Sequence, residues 1–310
     1  MKIIITGASG LVATELVLNL LSGDNKYELI LVSRNPNKLA ERYQKYSSSI
    51  KSVSLDELLI HDDESYDICI HTAFARSSSG EKIVESLEYT DKLCKWVRNI
   101  KIPKFINISS QSVYGNSYEP FIDENGPCAP GYMYALAKYS SELIIKNIFD
   151  DSSTKVVNIR LSSVCENARF IKIFVENTIN HSPIKLVAPN QIVSFIDVRD
   201  VAEAIAKIIT SPVFVAGNYN LGSGQNYSIY EIAQLVDEIG QRKFNLPKTE
   251  IIVDDNGTKT KVGMSIKKFS ETYNWIPQYD ISDMIRSLYN MLKYVNKGGY
   301  PQSFKLVYYL

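Results

Sequence analysis

Lys2-Ile3-Ile4-Ile5-Thr6-Gly7-Ala8-Ser9-Gly10-Leu11-Val12-Ala13 opens the chain, and its reading decides the fold. The apolar run within Lys2–Thr6 is continuous and not alternating, which predicts a short strand buried on both faces. Gly7 and Gly10 follow, and then an amphipathic stretch, Leu11–Ser22, that stops at Gly23. Strand, glycine turn and helix N-terminus together offer backbone N–H groups and a positive dipole end to a pyrophosphate. Gly7 suits the tight turn and Gly10 the close approach of a phosphate; Ala13 takes the third small position, where helix packs on sheet. Gly7, Ser9, Gly10, Leu11 and Val12 are therefore the expected dinucleotide contacts.

Outward from this stretch, strands and helices alternate. Strands are expected at Glu28–Val32, 50–54, 67–71, 104–109 and 156–161, and helices at 36–46, 80–98 and 132–149. Repeated βαβ units predict an α/β fold: a parallel, doubly wound Rossmann sheet with right-handed crossovers. Such sheets bind ligands beyond the carboxyl ends of their strands, which places Gly7, Ser33, His71 and Ser110 along one edge. After Leu161 the rhythm loosens; 169–180 and 201–210 read as helices.

The second strand ends Leu31-Val32-Ser33-Arg34-Asn35, with no carboxylate. An acidic residue there accepts from the ribose 2′-OH of NAD and repels a 2′-phosphate. Ser33 can donate to that phosphate and Arg34 can pair with it, so NADP(H) is expected over NAD(H), with NAD(H) still possible.

Gly131-Tyr132-Met133-Tyr134-Ala135-Leu136-Ala137-Lys138 carries the chemistry. Four residues apart on a helix, Tyr134 and Lys138 share one face. A free phenol ionises near pH 10, and a neighbouring ammonium favours the phenolate, which makes Tyr134 a candidate general acid or base. Tyr132 is the rival tyrosine but has no lysine four residues on. Ser110, 24 residues before Tyr134, is the candidate hydroxyl for the substrate oxygen, and Ser109 is the alternative serine, expected on the cofactor side.

Length and composition allow a large core and one or two domains. The 310 residues are 45% hydrophobic and 22% charged, with 34 Lys+Arg balancing 34 Asp+Glu. Zero net charge without a long basic run argues against nucleic acid or an anionic membrane as partner. No apolar stretch approaches the roughly 20 residues of a spanning helix. The first strand begins at residue 2, which leaves no room for a signal peptide, and Cys69, Cys94, Cys128 and Cys165 fit neither a zinc nor a disulfide pattern. A cytoplasmic protein with reduced thiols is expected. His61, His71 and His181 do not have metal-ligand spacing, so no metal is expected.

These motifs, in this order, resemble the extended short-chain dehydrogenase/reductase family, the group of nucleotide-sugar epimerases, dehydratases and reductases. The loop from Thr6 to Ala13, Ile70-His71-Thr72-Ala73-Phe74-Ala75, Ile108-Ser109-Ser110-Gln111-Ser112-Val113-Tyr114-Gly115 and Tyr134 to Lys138 carry the likeness in the first half. Ile159-Arg160-Leu161-Ser162, 194–202, 219–224 and 273–277 carry it onward to about residue 290. The resemblance implies Ser110, Tyr134 and Lys138 as catalytic residues, with Lys138 lowering the Tyr134 pKa and binding the nicotinamide ribose. It implies Thr72, Ala73, Phe74, Ser109, Tyr134 and Lys138 as further cofactor contacts, and Arg76, Ser110, Gln111 and Asn167 at the substrate. It also implies a cofactor domain of residues 1–162 plus 194–224 and a smaller substrate lobe of 163–193 plus 225–310. The faces of 81–98 and of the catalytic helix resemble the family's dimer-forming pair, so a homodimer is possible.

Hydride transfer at carbon with proton transfer at the adjacent oxygen is the implied chemistry. NADPH preference favours net reduction, so the leading expectation is an NADPH-dependent reductase of a nucleotide-activated 4-keto-6-deoxy sugar. A 4-epimerase with retained NAD(P) is the alternative, and a non-catalytic NADP-binding redox regulator the third reading. Dehydration is discounted because Gln111 and Ser112 stand where dehydratases carry an acidic pair. Val193 stands where many relatives carry an arginine for the substrate diphosphate; Arg169, Lys172, Lys185 and Lys261 are the replacement cations available nearby.

Overall fold

The computed structural model describes residues 1–23, 26–60, 64–76, 79–116, 121–254 and 261–296, so His61 lies outside the described residues. From the start of the chain, β1 (Lys2–Thr6), α1 (Leu11–Ser22), β2 (Glu28–Val32), α2 (Pro36–Arg42), β3 (Ile50–Val53) and α3 (Leu55–Leu59) follow in turn. Next come β4 (Ile68–His71), α4 (Gly80–Asn99), β5 (Lys104–Ser110), α5 (Met133–Phe149) and β6 (Lys155–Leu161). The remainder is β7 (Ser163–Val164), α6 (Arg169–Ile179), β8 (Ile184–Val187), β9 (Ile192–Ile196), α7 (Val198–Thr210), β10 (Gly217–Leu221), β11 (Asn226–Ser228), α8 (Ile229–Phe244), β12 (Ile251–Asp254), β13 (Lys261–Val262), α9 (Lys267–Tyr273) and α10 (Ile281–Asn296).

Seven strands form one parallel sheet in the order β10-β6-β5-β4-β1-β2-β3. The chain starts in the middle and winds both ways, so β1 and β4 meet at the change of direction. Thr6 is paired with both Val32 and His71 there, and the ends of three strands converge on Gly7. Ile3, Ile4 and Ile5 are fully buried, as the unbroken apolar run required. Asn107 on β5 reaches Asn158 on β6 at 3.0 Å, and Asn158 reaches Asn218 on β10 at 3.0 Å, which fixes the register of that half of the sheet.

Local chemistry sets the helix ends. Asn35 caps α2 by accepting from Lys38 N at 3.1 Å, with Pro36 in the first turn. Helix α3, unforeseen from sequence, is nucleated by a capping box between Ser54 and Glu57. Helix α7 begins at Val198, three residues before the expected 201, because the Asp197 side chain caps it through Arg199 N at 2.9 Å.

A second core lies between α6, α8 and α10, where Phe174, Ile232, Ile285 and Leu288 are buried together. The small strands belong with it: β9 pairs with β7, β11 and β13, and β8 with β12. Phe195 faces this core while its neighbour Ile196 faces the large one, so β9 is shared between the two. Helix α9 departs from the expected division: Phe269, Tyr273 and Trp275 pack with Tyr219 of β10 in the large core. Large aromatic rings there cover the sheet edge that β10 would otherwise expose. Among the described residues, no helix is long and apolar enough to cross a membrane, and all four cysteines are unpaired.

Candidate active site

A cleft of about 660 Å³ runs along the carboxyl ends of β1, β4, β5 and β6 and is closed on its far side by α6 and β9. Gly10, Leu11 and Val12 form one end of it. Gly10 is the N-cap of α1 and has no side-chain cap bond, so the first-turn N–H groups stand without a side-chain acceptor beside the cleft. Gly7, at φ +63°, passes so close to β4 that an added Cβ would sit 2.7 Å from the Ala73 backbone. Only glycine permits that turn, and the turn is what brings α1 over the strand ends. An uncapped helix end against an open cleft fits a dinucleotide pyrophosphate held by this chain.

The other predicted cofactor residues fall into three groups. Thr72 and Phe74 line the cleft, and the Thr72 hydroxyl donates to Thr6 O at 2.7 Å. Ala73 is the residue Gly7 packs against, and Ser9 is half-buried in the glycine turn. Ser33 and exposed Arg34 lie at the end of β2, where Ser33 N is tied to Val53 O at 3.1 Å and Ser33 Oγ accepts from Asn35 N. No carboxylate stands at 33–35, as the sequence shows.

Ser110, Tyr134 and Lys138 come together on the opposite wall, together with Ile108, Ser109, Gln111, Ser112 and Tyr132. Ser110 ends β5, and its hydroxyl accepts from Ser112 N at 3.2 Å and Ser112 Oγ at 2.9 Å, which orients it at the mouth of the strand. Tyr134 is in the first turn of α5, edge-on to Phe74 at 6.1 Å between ring centres and stacked with Tyr132 at 6.4 Å. Lys138, one turn further, is buried at 4% exposure; it donates to Ile108 O at 2.7 Å and sits 4.1 Å from the centre of the Phe74 ring.

Burial pushes the Tyr134 phenol above its ordinary range, while Arg76 and a hydrogen bond to Ser110 act to lower it. Lys138 is turned onto a backbone carbonyl and an aromatic face, and burial pushes its own pKa down to about 7. One expected orientation is corrected by this geometry: Ser109 lines the cleft, but its hydroxyl, expected on the cofactor side, donates to the buried carboxylate of Glu142.

At the substrate side, Arg76 and Gln111 line the cleft, and Gln111 Nε2 donates to Ser163 Oγ at 3.3 Å. The side chain of Asn167 lies outside what the structure describes, as does that of Lys261. Val193 is partly buried against the second core, so no cation replaces it on β9. Of the candidate cations, Arg169 lines the cleft at the start of α6, Lys172 pairs with Glu176, and Lys185 is exposed on β8. Sequence reasoning missed Phe170, Ile173 and Phe195 as cleft walls; the strong amphipathicity of α6 was the available signal. His71 is a structural residue: its ring bonds Thr6 at 2.8 Å and Thr90 at 3.0 Å, and burial pushes it down to about 3. Tyr114 is likewise committed to packing, donating to Asn220 at 2.6 Å.

Comparison with known proteins agrees with this construction. Residues 3–222 match the NAD dependent epimerase/dehydratase family. A Methanocaldococcus jannaschii protein, provisionally named a UDP-glucose 4-epimerase, is 27% identical over 95% of this chain and 99% of its own. A dTDP-glucose 4,6-dehydratase of Actinoplanes is 24% identical over 92% of this chain and 95% of its own. Two solved structures share the fold. The UDP-glucuronic acid 4-epimerase of Bacillus cereus, in complex with UDP-glucuronic acid and NAD, has a TM-score of 0.76 at 20% identity, covering 95% of this chain and 100% of that one. The dTDP-glucose 4,6-dehydratase of Bacillus anthracis, in complex with NAD, has a TM-score of 0.78 at 18% identity, covering 96% and 98%. With a glycine-turn helix end, a serine–tyrosine–lysine wall and a family match across 3–222, this chain belongs to the NAD-dependent epimerase/dehydratase family, within the extended short-chain dehydrogenases/reductases, and is an NAD(P)-dependent oxidoreductase-type enzyme.

Proposed function

We propose that the chain is a nucleotide-sugar 4-epimerase that retains its nicotinamide cofactor. The observation that carries this reading is the inventory of the cleft. Among the described lining residues the ionisable groups are Arg76, Tyr132, Tyr134, Lys138 and Arg169, with no carboxylate and no imidazole. Inverting a carbinol through a ketone needs a single proton-transfer group at one oxygen, and Tyr134 supplies it. Elimination of water needs a further acid and base at neighbouring carbons, and Gln111 and Ser112 are neutral.

Ser110 holds the reacting oxygen by hydrogen bonding. Tyr134 takes the proton from that oxygen in the forward step and gives it back in the reverse. Phe74 packs edge-on against the Tyr134 ring and steadies it. Positive charge at Arg76 favours the phenolate when the proton has left the sugar. Lys138 offers its ammonium beside them for a ribose hydroxyl. A bound nicotinamide would supply reversible hydride exchange with the carbinol carbon, which allows inversion without net redox change. Arg169, with the N-terminus of α6, is the proposed partner of the diphosphate in place of a cation at 193. Residues 163–193 with most of 225–296 are the proposed substrate-holding part, α9 excepted.

A second reading is net reduction of a keto sugar by NADPH. It is favoured by the end of β2, where Ser33 and Arg34 suit a 2′-phosphate. Exposed Val84 on α4 with Leu136 and Leu143 on α5 favour a homodimer through these helices.

Incubation with a panel of UDP- and dTDP-hexoses, read by sugar separation and by nicotinamide absorbance, tests both. Interconversion of C4 epimers at constant absorbance is the expected result. Stoichiometric NADPH oxidation with a 4-keto sugar selects the reductase, and cofactor binding with no conversion of any sugar sinks both in favour of a regulator.

A further inference from the structure

Tyr134, Lys138 and Glu142 follow at four-residue intervals along α5 and so share one face of it. Glu142 is 5% exposed. Its carboxylate accepts from Ser109 Oγ, from Arg160 Nε at 3.2 Å and from Arg160 Nη2 at 2.8 Å. Ser109 and Arg160 are register partners on β5 and β6, one residue before Ser110. Arg160 is held in turn by Tyr114 Oη at 3.1 Å and by Glu124 O at 3.4 Å. One carboxylate therefore ties the catalytic helix to two strands at the level of the reacting serine.

Stability alone does not explain this choice. Dehydrating two charges costs several kcal/mol, and a well-packed apolar pair often serves a fold as well or better. What an apolar side chain cannot supply is negative charge one turn from Lys138. The groups facing Lys138 are otherwise unhelpful to an ammonium's charge balance. His71 on β4 is neutral by burial, Tyr134 is protonated in its ordinary state, and Arg160 on β6 is itself a cation. Ile108 O and the Phe74 ring offer dipole and π-face only.

We propose that Glu142 is a positioning residue of the redox site: it fixes the reactive face of α5 through Ser109 and Arg160, and it places negative charge one helical turn from Lys138. Burial works against that ammonium, and Glu142 is the group whose field opposes burial. This rests on reading Lys138 as the cation of the site but on no particular sugar.

The test titrates Lys138 in protein carrying lysine labelled with carbon-13 at the ε position, without nucleotide sugar, so a wrong substrate leaves it intact. The Lys138 resonance is assigned by its loss in Lys138→Met. In Glu142→Gln the Lys138 midpoint should fall by about one pH unit, and Glu142→Asp should restore part of that shift. If Glu142→Gln does not fold because Arg160 is left unpaired, the Lys138 midpoint in Glu142→Gln with Arg160→Met is read against that in Arg160→Met alone, so that loss of the Arg160 cation is common to both. A midpoint unmoved by loss of the carboxylate in that folded comparison overturns the proposal, as does an equal shift in the Gln and Asp variants.

Discussion

The two walls of the cleft are made of different materials. On the β5–α5 wall, Ser109 and Lys138 are each at most 4% exposed, with Glu142 buried behind them, and every one is tied to a named partner. On the α6–β9 wall, Ala168, Phe170, Ile173 and Phe195 present carbon to the cleft, with Arg169 as the cation among them. Chemistry at an oxygen demands hydroxyl and phenol groups held within a fraction of an ångström, and buried hydrogen bonds hold them so. Recognition of a sugar nucleotide is served by apolar area with a few polar contacts. The first wall is accordingly where a change should alter kcat, and the second where it should alter KM.

The largest effect should come from the first wall. Tyr134→Phe removes the proton-transfer group while retaining the ring contacts with Phe74 and Tyr132. Turnover should fall by about 100- to 10,000-fold with an unchanged melting temperature. Full-speed turnover of the folded variant would remove the reason for distinguishing the walls at all. A change on the second wall should be smaller and of another kind. Arg169→Ala should raise KM for a nucleotide sugar by about tenfold or more with kcat little altered, whereas Lys172→Ala, whose ammonium already pairs with Glu176, should leave both unchanged. Equal KM effects for the two variants would return the diphosphate to some other cation.

A third change lies outside both walls. Arg34→Ala should raise Kd for NADPH several-fold more than Kd for NADH, since one exposed cation on a phosphate is worth on the order of 1 kcal/mol. Loss of affinity for both cofactors alike would place Arg34 away from the 2′-position.

The same division explains what the sequence disclosed. Short-range signals with strict geometry were legible: the glycine turn, the four-residue spacing of Tyr134 and Lys138, and the unbroken apolar strand 2–6 all stand where they were expected. The strand alternation also gave the parallel sheet, because βαβ chirality leaves few other arrangements. Burial partners over long range were not legible. That Ser109 turns to Glu142, 33 residues on, and that Arg76 lines the same cleft as Tyr134 from another loop, follow from how β5, α5 and β4 stack, which no local pattern encodes. The short strands β7, β8 and β11 to β13 were missed for the same reason, since each is four residues or fewer and owes its state to a distant partner.

The last prediction concerns stability and tests whether the first wall is as dry as its distances imply. In the folded chain Lys138 is held down to about 7 from the ordinary lysine range by burial. Between that value and about 10.4, where a lysine titrates in an unfolded chain, the unfolded state binds more protons than the folded one, so stability must rise with pH across this window. The contribution is fully present above the unfolded value and is lost as pH falls through the folded one. Lys138→Met keeps much of the side-chain volume and has nothing to titrate. Melting temperatures of the two proteins, measured from pH 7 to pH 10 without cofactor, should therefore diverge in slope, with the wild type gaining relative to the variant as pH rises. Parallel curves would mean that water reaches the ammonium, and the contrast between a sealed chemical wall and an open recognition wall would have to be abandoned.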